Sequence, residues 1–244
     1  MHSQNYSSQN FTESKLDIYI AAIGRSGSTA LANMMTFLPE QNVLVEPTAH
    51  TFGFNEWDII KNPQDESKFL KYYLSLTNTS NKIGIKEVIP KSHKAIINIL
   101  HPRIILILVR NIEDVYLSFT EKHIKQNSVS IFPSEWVEEY CIKSSEELLN
   151  IHKSYDNVVI IRFEDFFWSI HERKRFIAKT GWNLEGSPFK NFTNYDRLYE
   201  VERNVFPRDK SLSPLERNIE NIEQEKSKII GTKCLTYQSF FGYI

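Results

Sequence analysis

Residues Ile104-Ile105-Leu106-Ile107-Leu108-Val109 form an unbroken apolar run between two arginines, Arg103 and Arg110. A strand with one wet face alternates apolar and polar residues, so a run without alternation reads as a strand covered on both faces. Such strands belong to parallel sheets sandwiched between helices. Four more Ile- and Val-rich runs have similar form, at residues 16–23, 42–45, 82–86 and 157–163, with the first run extending over 103–109. Helical patterns fill the spaces between them, at residues 28–37, 65–76, 93–100, 113–125, 135–151 and 169–180. This βαβαβ order predicts an α/β layered fold with right-handed crossovers.

A last helix is expected to open at Ser213-Pro214-Leu215-Glu216, which supplies a cap, a first-turn proline and a capping-box glutamate, and to stop at Gly231. The polar stretch ahead of residue 16 reads as a loose arm over residues 1–15, without the apolar core of a signal peptide. No linker or repeat divides the rest, which is read as one domain over residues 16–244 with an irregular insertion at residues 48–81. With 29 basic and 30 acidic residues, the net charge of −1 gives no broad basic face for a nucleic-acid backbone. Cys141 and Cys234 are too few for a disulfide framework and lack metal-ligand spacing, which fits a reducing, cytoplasmic setting and a chemistry that needs no metal. No stretch approaches the roughly 20 apolar residues of a membrane span.

The apolar run at residues 16–23 leads into Gly24-Arg25-Ser26-Gly27-Ser28-Thr29 and then into a helix-compatible sequence. Main-chain N–H groups of such a loop and of the helix start form a concave anion site. Glycine serves where the chain turns with positive φ or must approach a phosphate. Ser26, Ser28 and Thr29 add hydroxyls, and Arg25 adds a charge-assisted bond of roughly 1.5–3 kcal/mol. A plain strand-to-helix connector has the same composition, so the context decides. A nucleotide triphosphatase loop would carry a lysine before its Ser/Thr and an aspartate at the end of a neighbouring strand. This loop has no such lysine, and the run 103–109 ends in Arg110. Both features disfavour Mg-ATP.

Arg110 stands at a strand's C-terminal edge, where parallel sheets bind ligands, and Ser118 follows about two turns into the next helix. Together with the helix start they suit a second anion; Arg110 as an ion-pair partner of Glu113 or Asp114 is the alternative. These two segments carry a resemblance. Gly24-Arg25-Ser26-Gly27-Ser28-Thr29 resembles the 5′-phosphosulfate loop of sulfotransferases, carbohydrate sulfotransferases in particular, and Arg110 to Ser118 resembles their 3′-phosphate motif, in the family's order and spacing. Glu46-Pro47, Arg162-Phe163-Glu164-Asp165-Phe166 and the closing Phe241-Gly242-Tyr243 are similar to further family segments.

The resemblance implies a P-loop-like three-layer fold with a central parallel sheet of about five strands. It also implies 3′-phosphoadenosine 5′-phosphosulfate (PAPS) as donor and a hydroxyl on a carbohydrate or small molecule as acceptor. In that reading Arg25 faces the leaving phosphate, and Ser26, Gly27, Ser28 and Thr29 hold the 5′-phosphate. Arg110 and Ser118, with Arg208 and Lys210 from a later loop, hold the 3′-phosphate. Glu46 is the first choice for the base that deprotonates the acceptor, with His50 and His123 in reserve, and Lys86 lies near the transferring group. Taken alone, a glutamate before proline such as Glu46 is more often a turn residue or salt-bridge partner, and Lys86 reads equally as a solvated strand-end lysine. Trp57, Trp136, Trp168 and Trp182 receive no role. The runner-up readings are a kinase-like phosphotransferase using ATP and a silent nucleotide-binding protein of the same fold.

Overall fold

A computed structural model describes residues 16–52, 60–76, 80–125, 134–185 and 221–244. Five parallel strands form one sheet: β1 (Ile18–Ala22), β2 (Gln41–Val45), β3 (Lys82–Glu87), β4 (Ile104–Val109) and β5 (Val158–Arg162), in the order β2-β3-β1-β4-β5. All four pairings are parallel, with Ile20 opposite both Lys86 and Leu106. The uninterrupted run in β4 is split by the pleat. Ile105, Ile107 and Val109 enter one core, and Ile104, Leu106 and Leu108 enter the other.

The first core packs helices α3 (Pro63–Leu76), α4 (Ser92–Leu100), α5 (Ile112–Lys125) and α6 (Ser134–Ser154) against the sheet. It also takes in α9 (Asn221–Lys233) and α10 (Leu235–Phe240). The second core packs α1 (Ser28–Met35), α7 (Phe163–Trp168) and α8 (Ile170–Thr180), closed by the fully buried Trp182. A short α2 (Pro47–Phe52) follows β2. The chain therefore leaves β1 toward one face and β4 toward the other. That divergence opens a crevice at the C-terminal edge between the two strands.

The structure corrects three expectations. Gly231 lies inside α9 and does not end it; a Cβ there would stand 2.4 Å from Glu113 Oε1, so the bare glycine lets α9 close onto α5. The expected start of that helix at Ser213 lies outside the described residues, as does the 1–15 arm. The 48–81 insertion is largely helical where described: Asn62 Oδ1 accepts the Asp65 N–H at 3.0 Å, and α3 buries Phe69 and Tyr73 in the first core. The first helix stops at Met35 because Phe37 turns to exchange main-chain hydrogen bonds with Gln41, at 3.0 Å in each direction.

Gly84 in β3 sits between Ile18 and Val43 on neighbouring strands, and a Cβ there would lie 2.8 Å from Ile18 Cγ2 and 3.3 Å from the Trp182 ring. Overpacking of this kind costs roughly 1–3 kcal/mol. Gly84→Ala is expected to lower stability by about that amount in a denaturant titration followed by tryptophan fluorescence. An unchanged midpoint would show that the second core is looser around Trp182 than described.

Candidate active site

All five strands deliver residues to the same C-terminal edge. The loop after β1 carries two left-handed residues, Arg25 (φ 69°) and Gly27 (φ 80°). At Gly27 only glycine fits. Its φ disfavours any side chain, and a Cβ would lie 2.5 Å from the Phe163 ring. Gly27 precedes α1 without a side-chain cap, which leaves the helix start available to an outside acceptor. Ser26 Oγ is buried and has no hydrogen-bond partner among the described residues.

The residues expected to form two anion sites meet in one cluster. Arg110 Nη1 donates to the Arg25 carbonyl at 2.8 Å, and Arg25 Nε donates to Ser118 Oγ on α5 at 3.2 Å. The Arg110 guanidinium lies 4.5 Å from the centre of the Phe163 ring, stacked on its face. The helix start at α5, expected to contribute donors, is already capped. The Asn111 N–H donates to Glu164 Oε1 at 3.0 Å, the Ile112 N–H to Gln238 Oε1 at 3.3 Å, and the Glu113 N–H to Asn111 Oδ1 at 2.9 Å. An anion near Arg110 thus meets side chains, whereas one at α1 meets main chain.

Several supports of this cluster went unnoticed in the sequence. The Tyr237 hydroxyl accepts the Arg110 N–H at 3.2 Å and donates to the Arg110 carbonyl at 3.0 Å, so one phenol fixes both main-chain groups of that arginine. Tyr243 donates to Glu164 Oε2 at 2.9 Å, and the Arg162 guanidinium lies 4.6 Å from the Tyr243 ring centre. The 162–166 segment and the closing Gly-Tyr therefore act as one buttress behind Arg110. Tyr140 on α6 accepts the Gly24 N–H at 2.6 Å and donates to the Val88 carbonyl at 2.7 Å, tying the loop to the end of β3. Burial pushes both the Tyr140 and Tyr237 phenols up, so they stay neutral donors. Their only sequence signal was aromatic residues on apolar helix faces, which core packing explains equally well.

On the other side of β1, the Lys86 ammonium pairs with the Glu46 carboxylate, and both side chains are buried. The Glu46 N–H donates to the Lys86 carbonyl at 2.6 Å, and Glu46 has φ 49°. Lys86 is therefore not the solvated strand end that its local sequence allowed, whereas Glu46 is both a turn residue and a salt-bridge partner, as its local sequence allowed. Beside them Glu87, wholly buried, accepts the Thr48 N–H at 2.8 Å. Burial pushes its carboxyl up to about 8, against the opposing pull of the Thr48 hydrogen bonds. Of the remaining candidates, Arg208, Lys210, Trp57 and the side chains of His50 and His123 lie outside the described residues. Trp182 is core, Trp168 is exposed, and Trp136 stacks on Tyr140 with ring centres 5.1 Å apart.

With this geometry in view, likeness to known proteins becomes informative. No protein-family model matches the chain, and no curated protein sequence does. Solved structures do match. A sulfotransferase from Alicyclobacillus acidocaldarius aligns over 93% of this chain and 96% of its own, with a TM-score of 0.58 and 13% identity. Mouse sulfotransferase SULT7A1, solved with PAP, aligns over 94% of this chain and 89% of its own, with a TM-score of 0.51 and 14% identity. The chain has the sulfotransferase fold. No described helix is long and apolar enough to cross a membrane.

Glu87 makes stability depend on pH in a defined sense. Its folded-state affinity for a proton, near 8, exceeds the ordinary value of 4.5, so between those pH values folding takes up a proton and each rise in pH weakens the fold. Below 4.5 and above about 8 the contribution is flat. Removing the ionisation with Glu87→Gln should therefore give a stability gain over wild type that widens from pH 4.5 to 8 in thermal melts and then levels off. A gap independent of pH would contradict a neutral buried carboxyl.

Proposed function

We propose that this protein transfers the sulfuryl group of PAPS to a hydroxyl of a carbohydrate or small molecule and releases adenosine 3′,5′-bisphosphate. The observation that carries the reading is the joined cluster of Arg25, Arg110 and Ser118 in the crevice beside an uncapped helix start. A ligand with one phosphate on the main chain and another on side chains suits that asymmetry. Mouse SULT7A1 holding PAP on the same fold supports it. The reading takes residues 16–244 as one domain.

In this mechanism the 5′-phosphate lies on the N–H groups of Gly27, Ser28 and Thr29, with Ser26 Oγ as a further donor. Arg110 and Ser118 take the 3′-phosphate, with Arg208 as a further basic partner. Glu46 accepts the proton of the acceptor hydroxyl as its oxygen forms a bond to sulfur. The bond from sulfur to the 5′-phosphate oxygen breaks, and the electron pair stays on that oxygen, where Arg25 neutralises it. Once Glu46 is protonated, the Lys86 charge is released to the oxygens of the transferring group. A buried ion pair contributes little to stability, so its retention here fits a chemical role better than a structural one. Binding needs no metal in this account. The Glu46-Pro47 resemblance favours a carbohydrate acceptor.

Titration calorimetry on the full chain separates this reading from its rivals. Adenosine 3′,5′-bisphosphate is expected to bind at least about tenfold more tightly than ADP or Mg-ATP, equal to about 1.4 kcal/mol, and Arg110→Ala to erase most of that preference. Glu46→Gln should retain the binding and lose roughly 10²–10⁴-fold in transfer rate. Equal or tighter binding of Mg-ATP would defeat the proposal, and an indifferent Glu46→Gln would leave a binding protein.

A further inference from the structure

The turn that presents Glu46 is held at two points by two consecutive residues of one strand. Pro47 has no N–H, so the turn Glu46-Pro47-Thr48 offers two main-chain donors. The Glu46 N–H goes to the Lys86 carbonyl at 2.6 Å, and the Thr48 N–H goes to the Glu87 carboxyl at 2.8 Å. The pleat sends Lys86 and Glu87 to opposite faces of β3. Lys86 meets the Glu46 carboxylate on one face while Glu87 pins the turn from the other.

The pinning has work to do. Glu46 adopts a left-handed conformation, which for a residue other than glycine is strained and persists only when the surroundings over-determine it. Among the described residues only Arg25, Glu46 and His101 share that property, and His101 is the ordinary left-handed end of α4. An amide oxygen at position 87 would accept the Thr48 N–H as well, so the turn requires an acceptor there and not a charge. The second Glu87 oxygen has no hydrogen-bond partner among the described residues.

We infer that Glu87 is a positioning residue: through the Thr48 N–H it fixes the Glu46-Pro47-Thr48 turn so that the Glu46 carboxylate stays on Lys86 and faces the reacting hydroxyl. The inference deepens the sulfotransferase reading and rests on it for its kinetic consequence. The charged and titratable groups around Glu87 are Glu46 from the turn, Lys86 from its own strand and Tyr19 from β1. From α4, His93 bonds the Tyr19 hydroxyl through Nδ1 at 2.7 Å, and burial pushes it down to about 3, so it is neutral. From α6, the neutral Tyr140 bonds the Val88 carbonyl one residue beyond. A neutral Glu87 accordingly adds no second negative charge beside Glu46.

Two variants test this on the full chain. Glu87→Gln keeps an oxygen for the Thr48 N–H, and Glu87→Met keeps the bulk and loses the oxygen. The kinetic probe is cleavage of PAPS by water, read as release of adenosine 3′,5′-bisphosphate; the structural probe is NMR hydrogen exchange of the Thr48 amide. Glu87→Met is expected to lower kcat by about 10- to 100-fold with KM for PAPS unchanged, as a small misplacement of a catalytic group does. Its Thr48 amide should exchange about tenfold faster. Glu87→Gln should match wild type in both. The inference is overturned if the Thr48 amide is equally protected in Glu87→Met, or if Glu87→Gln fails as Glu87→Met does, since the carboxyl itself would then be required. Should Glu87→Met not fold, Glu87→Gln still decides by keeping or losing kcat. A wild type that neither cleaves PAPS nor binds the bisphosphate sinks the sulfotransferase reading instead, while amide exchange continues to report on the turn.

Discussion

Everything at the sheet edge depends on one hydrogen bond, from Arg110 Nη1 to the Arg25 carbonyl. It spans the crevice between β1 and β4 and fixes the Arg110 guanidinium to the main chain of the loop that carries Arg25. Arg25 holds a left-handed conformation there, a strain that only an over-determined setting maintains. The setting is visible: Phe163 under Arg110, Ser118 under Arg25, Tyr237 on both main-chain groups of Arg110, and Glu164 and Gln238 closing the start of α5. The C-terminal segment is thus part of the site's foundation.

The opposite side of β1 is built on another logic. There the charges are of both signs, buried, and arranged on consecutive residues of β3. Lys86 neutralises Glu46, and Glu87 stays neutral by holding its proton. In the proposed reaction the donor lies on the β4 side of β1 and the acceptor is activated on the β3 side, and Gly24, fixed by Tyr140 to the Val88 carbonyl, couples the two mechanically.

Much of this was legible in the sequence, for physical reasons that differ by residue. The strands could be read because a sheet buried on both faces demands continuous apolar runs, and Ile104–Val109 satisfies that demand without exception. The gathering of Arg25, Gly27 and Arg110 at one sheet edge could be read because each follows directly on an apolar run that forms a strand, and β1 and β4 are neighbours. Tyr140 and Tyr237 could not. Their roles come from side chains arriving across 116 and 127 residues of separation, and nothing local distinguishes them from core positions. Glu87 was hidden for a further reason: beside a lysine at a strand end, a glutamate reads as solvated. Gly231 misled because a glycine that stops a helix and one that lets two helices touch look the same in sequence.

The central claim is that a single nucleotide is gripped at both ends by the joined arginines, and a crystal structure with adenosine 3′,5′-bisphosphate addresses it directly. The account predicts the 5′-phosphate on the Gly27–Thr29 main chain beside Arg25, and the 3′-phosphate on Arg110 and Ser118. A complex in which either guanidinium turns away from the nucleotide into bulk solvent would contradict it.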